Sequence, residues 1–211
     1  MTITTFQFNP FQENTYLVSD DTGEAVIIDC GCLYPSEEEQ LKQAINTDKL
    51  VIKRLLNTHL HLDHSFGNYM VAQTFGVLPE AHQADEFLIS ETSKQAQLFG
   101  IPASVREQPL GGYLNDGDLV AFGRTEFEVI HVPGHSPGGI CFYCRAEQLI
   151  FVGDVLFAGG IGRTDLPQGN YADLISGIQN RLFTLPDETV VYSGHGPTTT
   201  IGSERLHNPY F

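Results

Sequence analysis

The chain has 211 residues, a length that suits one domain and leaves no room for a second sizeable one. Its 26 acidic and 11 basic residues give a formal net charge of −15, which argues against binding to nucleic acid or to an acidic membrane surface. Residues 1–5 lack the basic start of a signal peptide, and no apolar run reaches the roughly 20 residues of a membrane span. We therefore expect a soluble, cytoplasmic protein that folds as a single domain over residues 1–211.

Apolar runs bounded by turn residues predict four strands in the first half of the chain, at residues 4–8, 15–19, 25–29 and 51–56. The third strand ends on Asp29. Pro35 begins a predicted helix, in which Ser36 and Glu39 have the spacing of a capping box. Two further helices and a loop are predicted to follow, at residues 65–75, 84–99 and 100–117.

Strands return in the second half of the chain, at residues 119–122, 126–132, 139–144, 148–152 and 189–193. Asn170 can cap a helix that runs to Phe183 and carries Leu174 and Ile178 on its apolar face. Because strands precede helices in both halves, we predict an α/β (α+β) fold in which two mixed sheets pack together with helices outside.

The four cysteines form two pairs, Cys30 with Cys32 and Cys141 with Cys144. Both pairs lie beside apolar, strand-like runs that contain no histidine. In a cytosolic chain we interpret them as small buried hydrophobic residues, with a structural zinc site or a disulfide as the alternatives.

A dense group of potential metal ligands follows the strand at residues 51–56. Three imidazoles and one carboxylate lie within six positions, at His59, His61, Asp63 and His64. Leucines alternate with them, so the polar side chains can share one side of an extended segment. Imidazole nitrogen and carboxylate oxygen are ligands of divalent transition metals, and the run predicts a metal site rather than a polar turn.

Other potential ligands stand at or just after the ends of four other predicted strands, at Asp29, His135, Asp154 and His195. Polar residues on glycine-flanked loops at strand ends are a common way to build a site on a rigid scaffold. By contrast, we interpret His82 and His131 as structural.

In order and spacing, these residues resemble the metallo-β-lactamase superfamily, and their flanking segments resemble its glyoxalase II (hydroxyacylglutathione hydrolase) group. The segments that carry the closer resemblance are residues 133–138, 151–157, 162–165 and 194–199. The likeness extends from about residue 3 to residue 211. It implies a four-layer αβ/βα sandwich with metals bound at the mouth between the two sheets.

The resemblance also implies two divalent ions, with zinc expected and iron or a mixed zinc/iron pair as alternatives. One ion would be bound by His59, His61 and His135. The other ion would be bound by Asp63, His64 and His195. Asp154 would bridge the two ions. For Asp29 we expect contact with a ligand histidine or with its loop, and a helix-capping or turn carboxylate is the alternative. A hydroxide shared by the ions would attack a thioester carbonyl, and Asp63 would orient it as well as bind metal.

The substrate implied by the resemblance is S-lactoylglutathione or a related small acyl thioester. Full-length glyoxalase II proteins carry a helical C-terminal extension that contacts glutathione, whereas this sequence ends 16 residues after His195. We therefore expect a thioester hydrolase and leave recognition of glutathione open. Arg163 is a candidate for binding a substrate carboxylate, with an ion pair to Asp165 as its alternative role, and His207 is a further candidate.

Three alternatives remain at this point. A persulfide dioxygenase of the same fold would hold one iron through His59, His135 and Asp154, a facial triad with open positions for oxygen. A β-lactamase is less favoured, because such enzymes are usually exported. A non-catalytic metal-binding module is the third. The expected partner in each enzymatic case is a small molecule, with no nucleic acid or membrane, and the oligomeric state stays open.

Overall fold

Two six-stranded sheets form the centre of the computed structural model, which describes residues 1–101 and 105–211. The first sheet has the strand order β1 (Thr2–Phe8), β2 (Glu13–Ser19), β3 (Glu24–Ile28), β4 (Val51–Leu56), β5 (Pro79–Ala81) and β6 (Gly112–Tyr113). Strands β1 to β3 pair antiparallel, and β3 to β6 pair parallel.

The second sheet is also mixed, with the strand order β14-β13-β10-β9-β8-β7. Its strands are β7 (Leu119–Phe122), β8 (Thr125–His131), β9 (Ile140–Cys144), β10 (Leu149–Gly153), β13 (Val190–Ser193) and β14 (Thr199–Thr200). Strands β10 and β13 pair parallel, and the other neighbours pair antiparallel. A two-stranded ribbon, β11 (Leu156–Phe157) and β12 (Gly160–Ile161), lies between β10 and β13 in the chain.

The described part of the chain also contains six α-helices: α1 (Pro35–Thr47), α2 (Leu62–Ser65), α3 (Asn68–Phe75), α4 (Phe87–Leu98), α5 (Tyr171–Gly177) and α6 (Ile201–His207). A 3-10 turn (Gln83–Asp85) precedes α4, and a π-helical turn (Ile178–Leu182) continues α5. Among residues 1–101 and 105–211, none of the helices has the length and hydropathy that a membrane-spanning helix requires.

The alternation of side chains along the strands produces four layers. In β3, Val26 and Ile28 belong to the core between the sheets, where they join residues of the second sheet such as Phe127. The intervening Ala25 and Ile27 pack with α1 and α3 on the outer face. The outer face of the second sheet packs with α5 and α6 in the same way. The predicted αβ/βα sandwich of two mixed sheets is therefore confirmed.

Several predicted boundaries were wrong for local physical reasons. The helix predicted over residues 65–75 begins only at Asn68, because the Gly67 N–H donates to the Cys30 carbonyl at 2.8 Å instead of continuing a helix, and Ser65 ends the separate helix α2. The capping box does not use Ser36 and Glu39. Instead, Glu37 accepts the Tyr34 N–H at 3.0 Å, so Tyr34 is the N-cap and the helix begins at Pro35, as predicted.

Other predictions were closer. The helix predicted from Asn170 to Phe183 changes to a π-helical turn at Ile178, although Asn170 caps it as expected by accepting the Ala172 N–H at 2.9 Å. All four cysteines are buried and free of disulfides, as predicted. The predicted loop over residues 100–117 includes 102–104, which lie outside the described residues, and its described part contains β6.

Candidate metal centre

The loop that follows β4 and the loop that follows β8 bring three buried histidines together. These residues are His59, His61 and His135. His61 Nδ1 lies 2.8 Å from His135 Nε2, which in turn lies 3.3 Å from His59 Nε2. One ring nitrogen from each residue lies within 4.8 Å of the others, a spacing at which three imidazoles can bind one ion.

A second group forms from α2 and from the loop that follows β13. It consists of Asp63, His64 and His195. Asp63 Oδ2 lies 3.2 Å from His195 Nε2 and 3.8 Å from His64 Nε2. His64 is completely buried, whereas His195 and Asp63 are partly exposed. This group therefore has one side open to solvent.

Asp154 lies between the two groups, directly after β10. Its Oδ2 is 3.6 Å from His135 Nε2 and 3.7 Å from His195 Nε2, and its Oδ1 is 3.4 Å from His64 Nε2. Gly153, in a left-handed conformation with φ of 52°, makes the turn that places this carboxylate. A side chain at Gly153 would collide with Thr58. One carboxylate thus reaches both groups, which is the geometry of a bridging ligand.

The protonation chemistry of these residues fits divalent ions. Burial and the neighbouring His135 lower the pKa of His61 to about 3, and burial lowers the pKa of His59, so both rings are neutral, as metal ligands must be. Burial raises the pKa of Asp154, but the charges of His64 and His135 outweigh it and hold this pKa below its usual range.

Two buried polar atoms in the centre lack a hydrogen-bond partner among the described residues. They are His64 Nε2 and Asp154 Oδ1. Buried polar atoms are nearly always satisfied, and a bound cation would satisfy both of these. The carboxylates of Asp154 and Asp63 also outweigh the effect of burial and raise the pKa of His64, an excess of negative charge that cations would balance.

Oxygen atoms of the backbone and of a carboxylate contact the Nδ1 atoms of three of these histidines and orient their rings. His64 Nδ1 lies 3.1 Å from Asp29 Oδ2, which directs Nε2 into the centre. In the same way, His135 Nδ1 lies 2.8 Å from the Arg163 carbonyl, and His195 Nδ1 lies 3.0 Å from the Phe11 carbonyl. Asp29 also accepts the Thr58 N–H at 2.7 Å, so it contacts the start of the loop that carries His59 as well as the His64 ring.

Two buried carboxyl groups near the centre were not predicted from the sequence. Glu13 lies in β2, where Thr15 Oγ1 donates to it at 2.8 Å, and burial raises its pKa. Asp85 accepts hydrogen bonds from the Leu60 N–H and the Ser136 hydroxyl. Neither residue stands at the end of a predicted strand or in a recognisable motif, so only the folded structure reveals their positions.

The remaining candidates lie apart from the two groups. His82 and His131 stack on each other with ring centroids 4.2 Å apart, which agrees with a structural role. Arg163 donates two 2.7 Å hydrogen bonds to Asp165, which agrees with the ion pair expected as its alternative role. Its side chain also lines the cavity that opens onto the two groups. His207 is exposed at the end of α6 and is not among the described residues that line this cavity, and its substrate contact stays a prediction.

A cavity of about 650 Å³ opens onto the centre. His61, Asp63, His135, Asp154 and His195 contribute to its lining. This volume is in the range of small-molecule sites, and a substrate in the cavity would therefore contact residues of both groups.

Comparison with known proteins places this geometry in a family. The Metallo-beta-lactamase superfamily profile matches residues 8–195. The hydroxyacylglutathione hydrolase GloC of Haemophilus influenzae is 41% identical over the whole chain and 98% of its own length. The crystal structure of the BLEG-1 B3 metallo-beta-lactamase has a TM-score of 0.90 at 34% identity, covering 99% of both chains. TTHA1623, solved in a di-iron-bound form, has a TM-score of 0.87 at 35% identity, covering 100% of both chains. The chain belongs to the metallo-β-lactamase superfamily.

Proposed function

We propose that this protein is a metal-dependent thioester hydrolase of the hydroxyacylglutathione hydrolase type. The observation that carries the proposal is the pair of ligand groups joined by Asp154 on the wall of a substrate-sized cavity. The full-length similarity to the H. influenzae hydrolase supports the choice of thioesters. A small-molecule substrate is consistent with the size of the cavity.

In this proposal, His59, His61 and His135 would hold one ion. Asp63, His64 and His195 would hold the other, and Asp154 would be shared between them. We favour zinc, and the di-iron form of TTHA1623 supports iron as the alternative. When bound, two such ions lower the pKa of water and polarise a carbonyl oxygen.

The chain's own residues orient the reacting groups. Asp63 lines the cavity, and its Oδ2 lies 3.2 Å from His195 Nε2. Its second role is to accept a hydrogen bond from the attacking water and hold it toward the substrate carbonyl. Asp29 fixes the His64 ring, so that the ligand nitrogen does not turn away during the reaction.

Two other activities are candidates on the same site. The similarity to BLEG-1 favours β-lactam hydrolysis as the second candidate. A mononuclear iron dioxygenase would need only His59, His135 and Asp154. It would leave the converging Asp63, His64 and His195 without a role, and we therefore favour the hydrolase.

The test is an assay of the zinc-loaded protein on S-lactoylglutathione and on a chromogenic cephalosporin, with Asp154→Ala as the inactive variant. Asp116→Ala is the matched control, because Asp116 is an exposed carboxylate paired with Arg181. We expect thioester hydrolysis that is lost in Asp154→Ala and kept in Asp116→Ala. Cleavage of the cephalosporin alone would replace the proposal with the second candidate. Zinc binding without hydrolysis of either compound would indicate a binding module.

A further inference from the structure

The walls of the cavity beside the metal centre are largely apolar. Helix α4 and the residue after it contribute Phe87, Leu88, Leu98 and Phe99, and the segment after β12 contributes Leu166 and Pro167. Phe11 meets Phe99 edge to face, with ring centroids 5.7 Å apart. These side chains line the same cavity as His61, Asp63, His135, Asp154 and His195.

Part of this surface remains in contact with water. Leu98 is 80% exposed and Phe99 is 51% exposed, although both line a concave cavity. An apolar group that entered the cavity would remove these side chains from water, which is favourable in proportion to the area covered. The lining of the cavity therefore favours the binding of an apolar group.

The charged groups of the cavity do not offer an equivalent site for an anion. Among the described lining residues, the lysine and arginine are Lys94 and Arg163. Lys94 Nζ lies 2.7 Å from Glu91 Oε2, and Arg163 is paired through two hydrogen bonds with Asp165. Each cation already has a carboxylate partner, and the net charge of −15 adds no attraction for an anionic substrate.

We propose that the cavity binds the acyl group of an apolar thioester, and that the length of this group determines specificity. The thiol carriers of common thioesters are polar, so the half of the substrate that matches an apolar wall is the acyl half. This inference rests on the proposed thioester hydrolase function and names its substrate class. Leu98 and Phe99 are its specificity-determining residues.

The test uses N-acetylcysteamine thioesters of straight-chain acids from acetyl to octanoyl, together with the lactoyl thioester. Because this carrier is small and neutral, differences in kcat/KM report the acyl group alone. We expect kcat/KM of the zinc-loaded protein to rise about fourfold per added methylene until the cavity is filled. Leu98→Ser and Phe99→Ser should flatten this rise. Leu206→Ser, at a 72% exposed position on α6, should leave it unchanged.

The outcomes separate the two proposals. Hydrolysis that is independent of acyl length, or fastest for the lactoyl thioester, would overturn this inference and leave the hydrolase function standing. Hydrolysis of no member, with S-lactoylglutathione still cleaved, would also overturn this inference and leave the hydrolase function standing. Hydrolysis of neither the series nor S-lactoylglutathione would overturn the hydrolase function itself. Calorimetric titration with uncleavable thioether analogues of the same lengths tests the cavity independently of catalysis, and a dissociation constant that does not fall with length would also overturn the inference.

Discussion

Asp85 connects the two loops that carry His59, His61 and His135. Its Oδ2 accepts the Leu60 N–H at 3.1 Å and the Ser136 hydroxyl, and its Oδ1 accepts the Gly138 N–H at 2.5 Å. The side chain is completely buried, and burial raises its pKa. We therefore predict that Asp85 sets the distance between the loops.

Replacing Asp85 with alanine removes three hydrogen bonds and leaves two buried backbone N–H groups without acceptors. Each such group costs about 1–3 kcal/mol, so we expect the free energy of unfolding to fall by about 2–6 kcal/mol. Ser136→Ala is the matched control, because it removes one hydrogen bond and leaves both N–H groups paired. Its expected cost is about 1 kcal/mol.

The assay is urea unfolding of the metal-free protein, combined with zinc competition against a chelating dye. If Asp85 positions the ligand loops, Asp85→Ala should also weaken zinc binding about 10- to 100-fold. If the free energy of unfolding stays within about 0.5 kcal/mol of the parent value and the zinc affinity is unchanged, Asp85 does not set the distance between the loops.

Four further predictions concern the metal centre and its surroundings. Asp154→Ala should reduce zinc content, measured by elemental analysis, and abolish nearly all activity, because this carboxylate reaches both ligand groups. Asp29→Ala should weaken zinc binding about 10- to 100-fold in dye competition, since His64 loses the carboxylate that orients it. Arg163→Ala should change the free energy of urea unfolding by less than about 0.5 kcal/mol, because its ion pair with Asp165 is exposed. Zinc at 1,000 times its dissociation constant should stabilise the metal-free protein by about 4 kcal/mol per bound ion and raise its Tm in a thermal scan.

Each of these predictions has a contrary result. Full zinc content in Asp154→Ala would show that the carboxylate does not bridge two ions. Unchanged affinity in Asp29→Ala would mean that the His64 ring is oriented by other contacts. A large loss of stability in Arg163→Ala would give its ion pair a structural weight that its exposure does not suggest. A Tm that does not respond to zinc would leave the two unsatisfied buried atoms of the centre unexplained.

The layers of the fold were predictable because they follow from periodicity along the strands. In β3, consecutive apolar residues are buried on both faces, between the sheets and under the helices. The short strands β5, β6, β11, β12 and β14 were missed, since elements of two or three residues have no period to detect. Tertiary hydrogen bonds, such as that from Gly67 to Cys30, decided the helix boundaries.

The candidate metal ligands were predictable from the sequence, whereas the buried carboxyl groups around them were not. The histidines and Asp154 stand at strand ends, and the structure brings them together as their placement suggested. Glu13 and Asp85 were not predictable, because each contacts residues far away in the sequence, and Glu13 does so through an isolated β-bridge with His195. Asp85, for example, reaches Ser136 across 51 positions. The apolar cavity wall that α4 contributes was also not predictable, because in the sequence its residues resemble the apolar face of any amphipathic helix.

We propose that the two ligand groups joined by Asp154 bind two ions and support hydrolysis. The direct test is a titration of the metal-free protein with zinc, in which the rate of thioester hydrolysis is measured after each addition. We predict that activity reaches its plateau at two zinc ions per chain. A plateau at one ion per chain, or oxygen uptake with a single iron and no hydrolysis, would contradict it.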